Sequence, residues 1–90
     1  SFAAKKITFD VNTAGEIRID FSWEAKGTYK VFKNKVGIIN PEAGPIYTVS
    51  SSGEEALFFI DNDVESGNRY YYWVQVDDNP YSNPFGVKAR

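Results

Sequence analysis

An all-β fold is what this sequence predicts, and three observations predict it. Residues 17–23 alternate without a fault, Ile17, Ile19, Phe21 and Trp23 against Arg18, Asp20 and Ser22, the period of a strand with one buried face. Residues 70–76, Tyr-Tyr-Tyr-Trp-Val-Gln-Val, are strong sheet formers entered directly from a polar corner rich in Asp, Asn and Gly. Elsewhere Gly, Pro, Asn and Asp cut the chain into short segments of the kind that turns join.

Taken in order, Ile7, Phe9 and Val11 alternate with Lys6, Thr8 and Asp10, a half-buried strand ending at the turn Asn12-Thr13-Ala14-Gly15. After the strand at 17–23, the turn Glu24-Ala25-Lys26-Gly27 leads into a third at 28–33, with Tyr29 and Val31 inward and Lys30 and Phe32 outward. Gly37, Asn40-Pro41 and Gly44-Pro45 make 34–45 a loop, with Ile38 and Ile39 expected under the sheet edge. Residues 46–50 read as an edge strand before the polar turn Ser51-Ser52-Gly53. The strand at 55–60 is continuously apolar from Ala56 to Ile60, so periodicity leaves open which side chains face the core. In 70–76 one face carries Tyr70, Tyr72, Val74 and Val76, the other Tyr71, Trp73 and Gln75. The acidic turn Asp77-Asp78-Asn79-Pro80 precedes a last strand within 81–89, with Phe85, Val87 and Ala89 inward. Pro84 suits an edge strand, where a missing N–H strands no partner.

The spacing of Asp61, Val64, Gly67, Tyr70, Tyr72 and Val74 resembles the fibronectin type III family, in the version found in secreted bacterial multidomain proteins such as glycoside hydrolases. The resemblance covers residues 7–89 and implies a seven-stranded antiparallel β-sandwich, immunoglobulin-like in type. It implies that Tyr70 is the tyrosine of a tyrosine corner, its hydroxyl reaching back to backbone near the preceding turn. It further implies that Trp23 is a core tryptophan ending the second strand, that 46–50 is the extra edge strand beside the third, and that Leu57 and Phe59 point inward.

Ninety residues fit one domain at 6–90, with 1–5 as a linker remnant, and a chain of this size buries roughly 60 to 70% of its unfolded surface. Two Trp, six Tyr and seven Phe supply that core. The start at Ser1 and the absence of methionine suggest a module cut from a longer protein. With a net charge of −2 and no basic run longer than Lys5-Lys6, a nucleic-acid surface is not expected. No apolar run long enough to insert in a membrane occurs.

Histidine and cysteine are both absent, which removes the usual bases and nucleophile activators at neutral pH and all thiol chemistry. No enzyme activity and no cofactor are expected. Asp61, Asp63 and Glu65 have the alternate spacing that opens a calcium loop, but Ser66 stands where its glycine belongs and Tyr72 where its closing glutamate belongs. Solvated turn residues, with Asp61 bonding local backbone as Asx turns do, are the better reading of that corner, and calcium is not expected there or at Asp77-Asp78.

The outward face of the third and sixth strands is the candidate site. Phe32, Tyr71 and Trp73 are expected to lie together, flanked by Lys30, Gln75 and Lys88, with Gly86 leaving room over the rings. Such a face can pack on a neighbouring domain, stack on sugar rings, or grip a protein ligand. The first is the leading expectation: an extracellular accessory module that positions catalytic or binding domains of the same polypeptide. Polysaccharide binding and protein adhesion are the alternatives, the latter without the Arg-Gly-Asp tripeptide, which occurs nowhere in the chain.

Overall fold

The computed structural model describes residues 6–11, 15–22, 26–54 and 56–90, with side chains at 15–19, 26–54 and 57–90. The expected linker at 1–5, the expected turn residues 12–14, Trp23 with its expected place in the core, and the side chains expected to face inward from the first strand lie outside the described set.

The strands are β1 (Lys6–Val11), β2 (Ile17–Ser22), β3 (Gly27–Asn34), β4 (Tyr47–Ser51), β5 (Ala56–Asp61), β6 (Arg69–Val76) and β7 (Phe85–Lys88). They form two antiparallel sheets, β1-β2-β5 and β4-β3-β6-β7, and the described residues include no helix. The all-β character is what the alternation predicts, and the two antiparallel sheets agree with the sandwich layering that the resemblance implies. The sheets meet over Ile17 and Ile19 on one side and Tyr29, Val31, Tyr70, Tyr72, Val74 and Val76 on the other, all buried. Leu57 and Phe59 pack on this core from β5 and Tyr47 and Val49 from β4. Tyr47 stacks on Phe59 across the layers at 4.4 Å between centroids.

In β5 the apolar run resolves as expected, Phe58 facing out beneath the Arg18 guanidinium at 4.1 Å. At the far edge the outcome differs. Val87 and Ala89 pack on the core, but Phe85 is 47% exposed. It is the first residue of an outermost strand, so a neighbouring strand flanks it on one side only.

Ile38 also departs from expectation, at 74% exposed. The turn after β3 is tied by Asn34: its Oδ1 accepts from the N–H groups of Val36 at 3.2 Å and Gly37 at 3.0 Å, and its Nδ2 donates to the Ile38 carbonyl at 2.7 Å. That clasp puts Gly37, at φ +78°, over the Tyr71 ring, where a Cβ would stand 3.2 Å from the ring edge.

Candidate functional site

The register of β3 with β6 sets Lys30 beside Gln75 and Phe32 beside Trp73. Phe32 and Trp73 stack at 5.6 Å with their planes 8° apart. Tyr71 lies further along the same face, opposite Gly86, where an added Cβ would come within 2.7 Å of its ring. The sequence therefore identifies the face and the role of Gly86.

It misjudges how open that face is. Trp73 has no exposed surface and Phe32 only 5%, so the two rings form no platform for a ligand. The segment before β7 folds back along β6: the Ser82 N–H donates to the Val74 carbonyl at 2.8 Å, and the Val74 N–H to Ser82 Oγ at 2.9 Å. This return carries Tyr81 edge-on against Phe32 at 5.5 Å. The indole N–H of Trp73 is buried with no hydrogen-bond partner among the described residues. Lys30, Tyr71 and Gln75 are half-buried and Lys88 is exposed, and Gln75 Nε2 is engaged with the Asn79 carbonyl at 3.1 Å.

Polar chemistry gathers instead where β5 turns towards β6. Alternation along β3 continues the inward row Tyr29, Val31 to Lys33, and along β5 the row Leu57, Phe59 to Asp61. The two rows end on each other, Lys33 Nζ lying 2.8 Å from Asp61 Oδ2 with the side chains 13% and 5% exposed. The Tyr72 hydroxyl donates to the same oxygen at 2.6 Å, and the Asp63 N–H donates to Oδ1 at 3.1 Å. That last bond is the expected Asx turn, but Asp61 is not the solvated turn residue expected: it is buried, because it ends the inward row of β5 and there meets Lys33. Lys33 Nζ also donates to the Asp63 carbonyl at 2.6 Å and sits 4.7 Å from the centre of the Tyr70 ring. Burial first, then the hydrogen bond and charge of Asp61, push the Tyr72 phenol far above its usual pKa.

The other corner residues each have a visible role. The Glu65 N–H donates to the Tyr70 hydroxyl at 2.7 Å, and Val64 packs on the core. Gly67 takes φ +85° inside a turn closed by the Asn68 N–H on the Glu65 carbonyl at 3.1 Å, a conformation that favours glycine. The Gly67 N–H reaches the Ala89 carbonyl at 2.9 Å and the Ala89 N–H the Asn68 carbonyl at 2.8 Å, fastening the corner beyond β7. A groove of about 640 Å³ opens beside it, its lining including Lys35, Ile46, Phe59, Asn62, Glu65 and Tyr70.

Chemically the corner is a closed network. Asp61 already accepts from Lys33, Tyr72 and Asp63, which leaves its carboxylate committed, and the Lys33 ammonium is enclosed by Asp61, the Asp63 carbonyl and the Tyr70 ring. In the turn after β6 the Asp77 carboxylate likewise accepts the Thr28 N–H at 2.9 Å. Comparisons with family models, curated proteins and solved structures find no match. The functional assignment therefore rests on this geometry.

Lys33 is the residue that sequence reasoning missed. Its signal was present, since its parity with Tyr29 and Val31 placed a cation on the core face, where a charge needs a partner.

One prediction arises at the corner. Replacing Tyr70 by Phe removes the acceptor for the Glu65 N–H, so the orphaned group is a donor, whereas an orphaned acceptor would be expected had the hydroxyl been the donor. Urea unfolding of Tyr70→Phe should show a loss of about 1 to 3 kcal/mol. An unchanged midpoint would remove the hydroxyl from any structural role.

Proposed function

We propose that this chain is a non-catalytic accessory module of fibronectin type III kind, carried in a larger secreted or cell-surface bacterial protein whose neighbouring domains it spaces and orients. The observation that carries this reading is the bond from the Glu65 N–H to the Tyr70 hydroxyl, since a tyrosine at the start of a strand bonded to backbone a few residues upstream is the corner that immunoglobulin-like sandwiches use. The strand orders support it, because β4 pairs with β3 in the second sheet, which is what an extra edge strand beside the third requires. Asp61, Val64 and Gly67 have structural roles in the same corner segment, respectively in the Asx turn, against the core and at a positive φ. A scaffold of this kind does not fix one function, so the spacer reading depends on what the surface offers.

That surface favours a spacer over a sugar-binding module. Stacking on sugar rings needs exposed aromatic faces, and Phe32 and Trp73 are covered by the chain itself. Only Tyr71, half-buried between Gly37 and Gly86, remains of the expected platform. Affinity electrophoresis through gels containing soluble polysaccharides tests this directly. The expected result is equal mobility with and without each polysaccharide. Retardation by one of them that disappears in a folded Tyr71→Ala variant would make the chain a binding module and overturn the spacer reading.

A further inference from the structure

The two lateral sides of the sandwich are not alike. On one side β1 and β7 approach each other, and these outer strands carry Lys6 and Asp10 in β1 and Lys88 in β7, with Pro84 immediately before it. Charges and proline are the usual means of keeping a sheet edge from pairing with another chain. On the other side lie β4 and β5, brought together by the stacking of Tyr47 on Phe59. No charged residue occurs between Glu42 and Glu54, a stretch that contains all of β4.

The hydrogen-bonding parity of β4 follows from its neighbours. The Thr28 N–H donates to Asp77 Oδ1 and the Asp77 N–H to the Thr28 carbonyl, so the backbone of Thr28 points towards β6 and that of Tyr29 towards β4. Tyr29 is opposite Val49, and Val49 therefore turns its backbone inward to β3. Thr48 and Ser50, on either side of it, turn their N–H and C=O groups outward. Both side chains are exposed, and among the described residues no backbone partner outside the sheet ladder reaches either.

We propose that β4 is a self-association edge, and that its occupant is the β4 strand of a second copy of this chain, antiparallel and related by a two-fold axis through Val49. About that axis Thr48 faces the partner's Ser50 and Ser50 the partner's Thr48, so that each outward N–H meets an outward carbonyl. The symmetry is self-complementary: a point that contacts its own mate must tolerate it, and here that residue is the half-buried, apolar Val49. On the outer face the existing contact of Thr28 Oγ1 with Ser50 Oγ at 3.4 Å extends to the partner's Thr48, a row of hydroxyls with no like charges opposed. The four-stranded sheet of each copy becomes half of one continuous eight-stranded sheet.

Sedimentation velocity over a range of protein concentrations tests the proposal. The wild type is expected to move from monomer to dimer as concentration rises, with the Thr48 and Ser50 amides becoming protected from hydrogen exchange over the same range. Thr48→Pro deletes an N–H that the monomer does not use in its ladder, and Ser50→Lys places a cation near the partner's Lys30. Each should weaken association at least about tenfold while thermal melting of the dilute monomer stays unchanged. A wild type that sediments as a monomer at every concentration overturns the proposal. So does a dimer that both variants leave intact, or open-ended oligomers in place of a closed pair.

Discussion

Replacing Asp61 by Ala is expected to destabilise the folded chain by about 3 to 5 kcal/mol, the cost of breaking a buried ion pair from one side. Three groups lose their acceptor at once: the Lys33 ammonium, the Tyr72 hydroxyl and the Asp63 N–H. Lys33 is only 13% exposed, so water reaches it poorly, and Tyr72 is fully buried. For a domain whose total stability lies at about 5 to 15 kcal/mol, this is a large share. Asp61→Asn separates charge from geometry. The amide oxygen can still accept from Tyr72 or Asp63 but cannot neutralise Lys33, so its loss should fall between zero and that of the alanine variant. Equilibrium urea denaturation of the three proteins measures the series. If Asp61→Ala loses less than about 1 kcal/mol, the pair behaves as a surface contact, and the corner is not the fastening between the sheets.

The same network has a signature in alkaline solution. Tyr72 is held above its usual pKa of 10.0 by burial and then by Asp61, so above that pH the unfolded chain releases a proton that the folded chain keeps. The contribution is therefore whole below the unfolded pKa and falls as pH rises past it. In Tyr72→Phe the decline in stability at high pH should be shallower than in the wild type.

How much of this was legible in the sequence depends on distance along the chain. Alternation is local: it puts Ile17 and Ile19 of β2 on one face and groups Tyr70, Tyr72, Val74 and Val76 on one face of β6, and both sets are buried in the core, although which face of β6 points inward is what the resemblance implies. The turn chemistry of Asp61 points to its Asx turn, and the backbone contact of Tyr70 is what the family resemblance implies. What alternation cannot supply is which rows end on each other. Lys33 and Asp61 lie in different sheets, and their contact depends on how the sheets are set face to face, a property of the whole fold. Ile38 was misplaced for the opposite reason. Its position is decided by a single clasp from the Asn34 side chain, too specific for a rule that treats apolar loop residues as tucked in. Phe32 and Trp73 were given the correct face and the wrong surroundings, because a strand's period says nothing about the loops that cross it.

The burial of Trp73 sets what its truncation costs. On an open face its truncation would cost little; with the ring fully buried and stacked on Phe32, Trp73→Ala should cost about 3 to 5 kcal/mol, as large-to-small changes in packed interiors do. Part of that loss is the void, and part is the pairing with Phe32, worth about 0.5 to 1.5 kcal/mol beyond burial. A double-mutant cycle with Phe32→Leu isolates the second part. Trp73→Phe gives the sharper comparison. It keeps an aromatic ring against Phe32 and deletes the indole N–H, which is buried without a partner and so burdens the native state by about 1 to 3 kcal/mol. Removing that burden offsets the lost volume, so the phenylalanine variant should retain most of the wild-type stability while the alanine variant does not. If both variants lose equally, the N–H is satisfied in solution. If neither loses appreciably, Tyr81 does not close over the face, and the aromatic pair is again available as a surface that another molecule can reach.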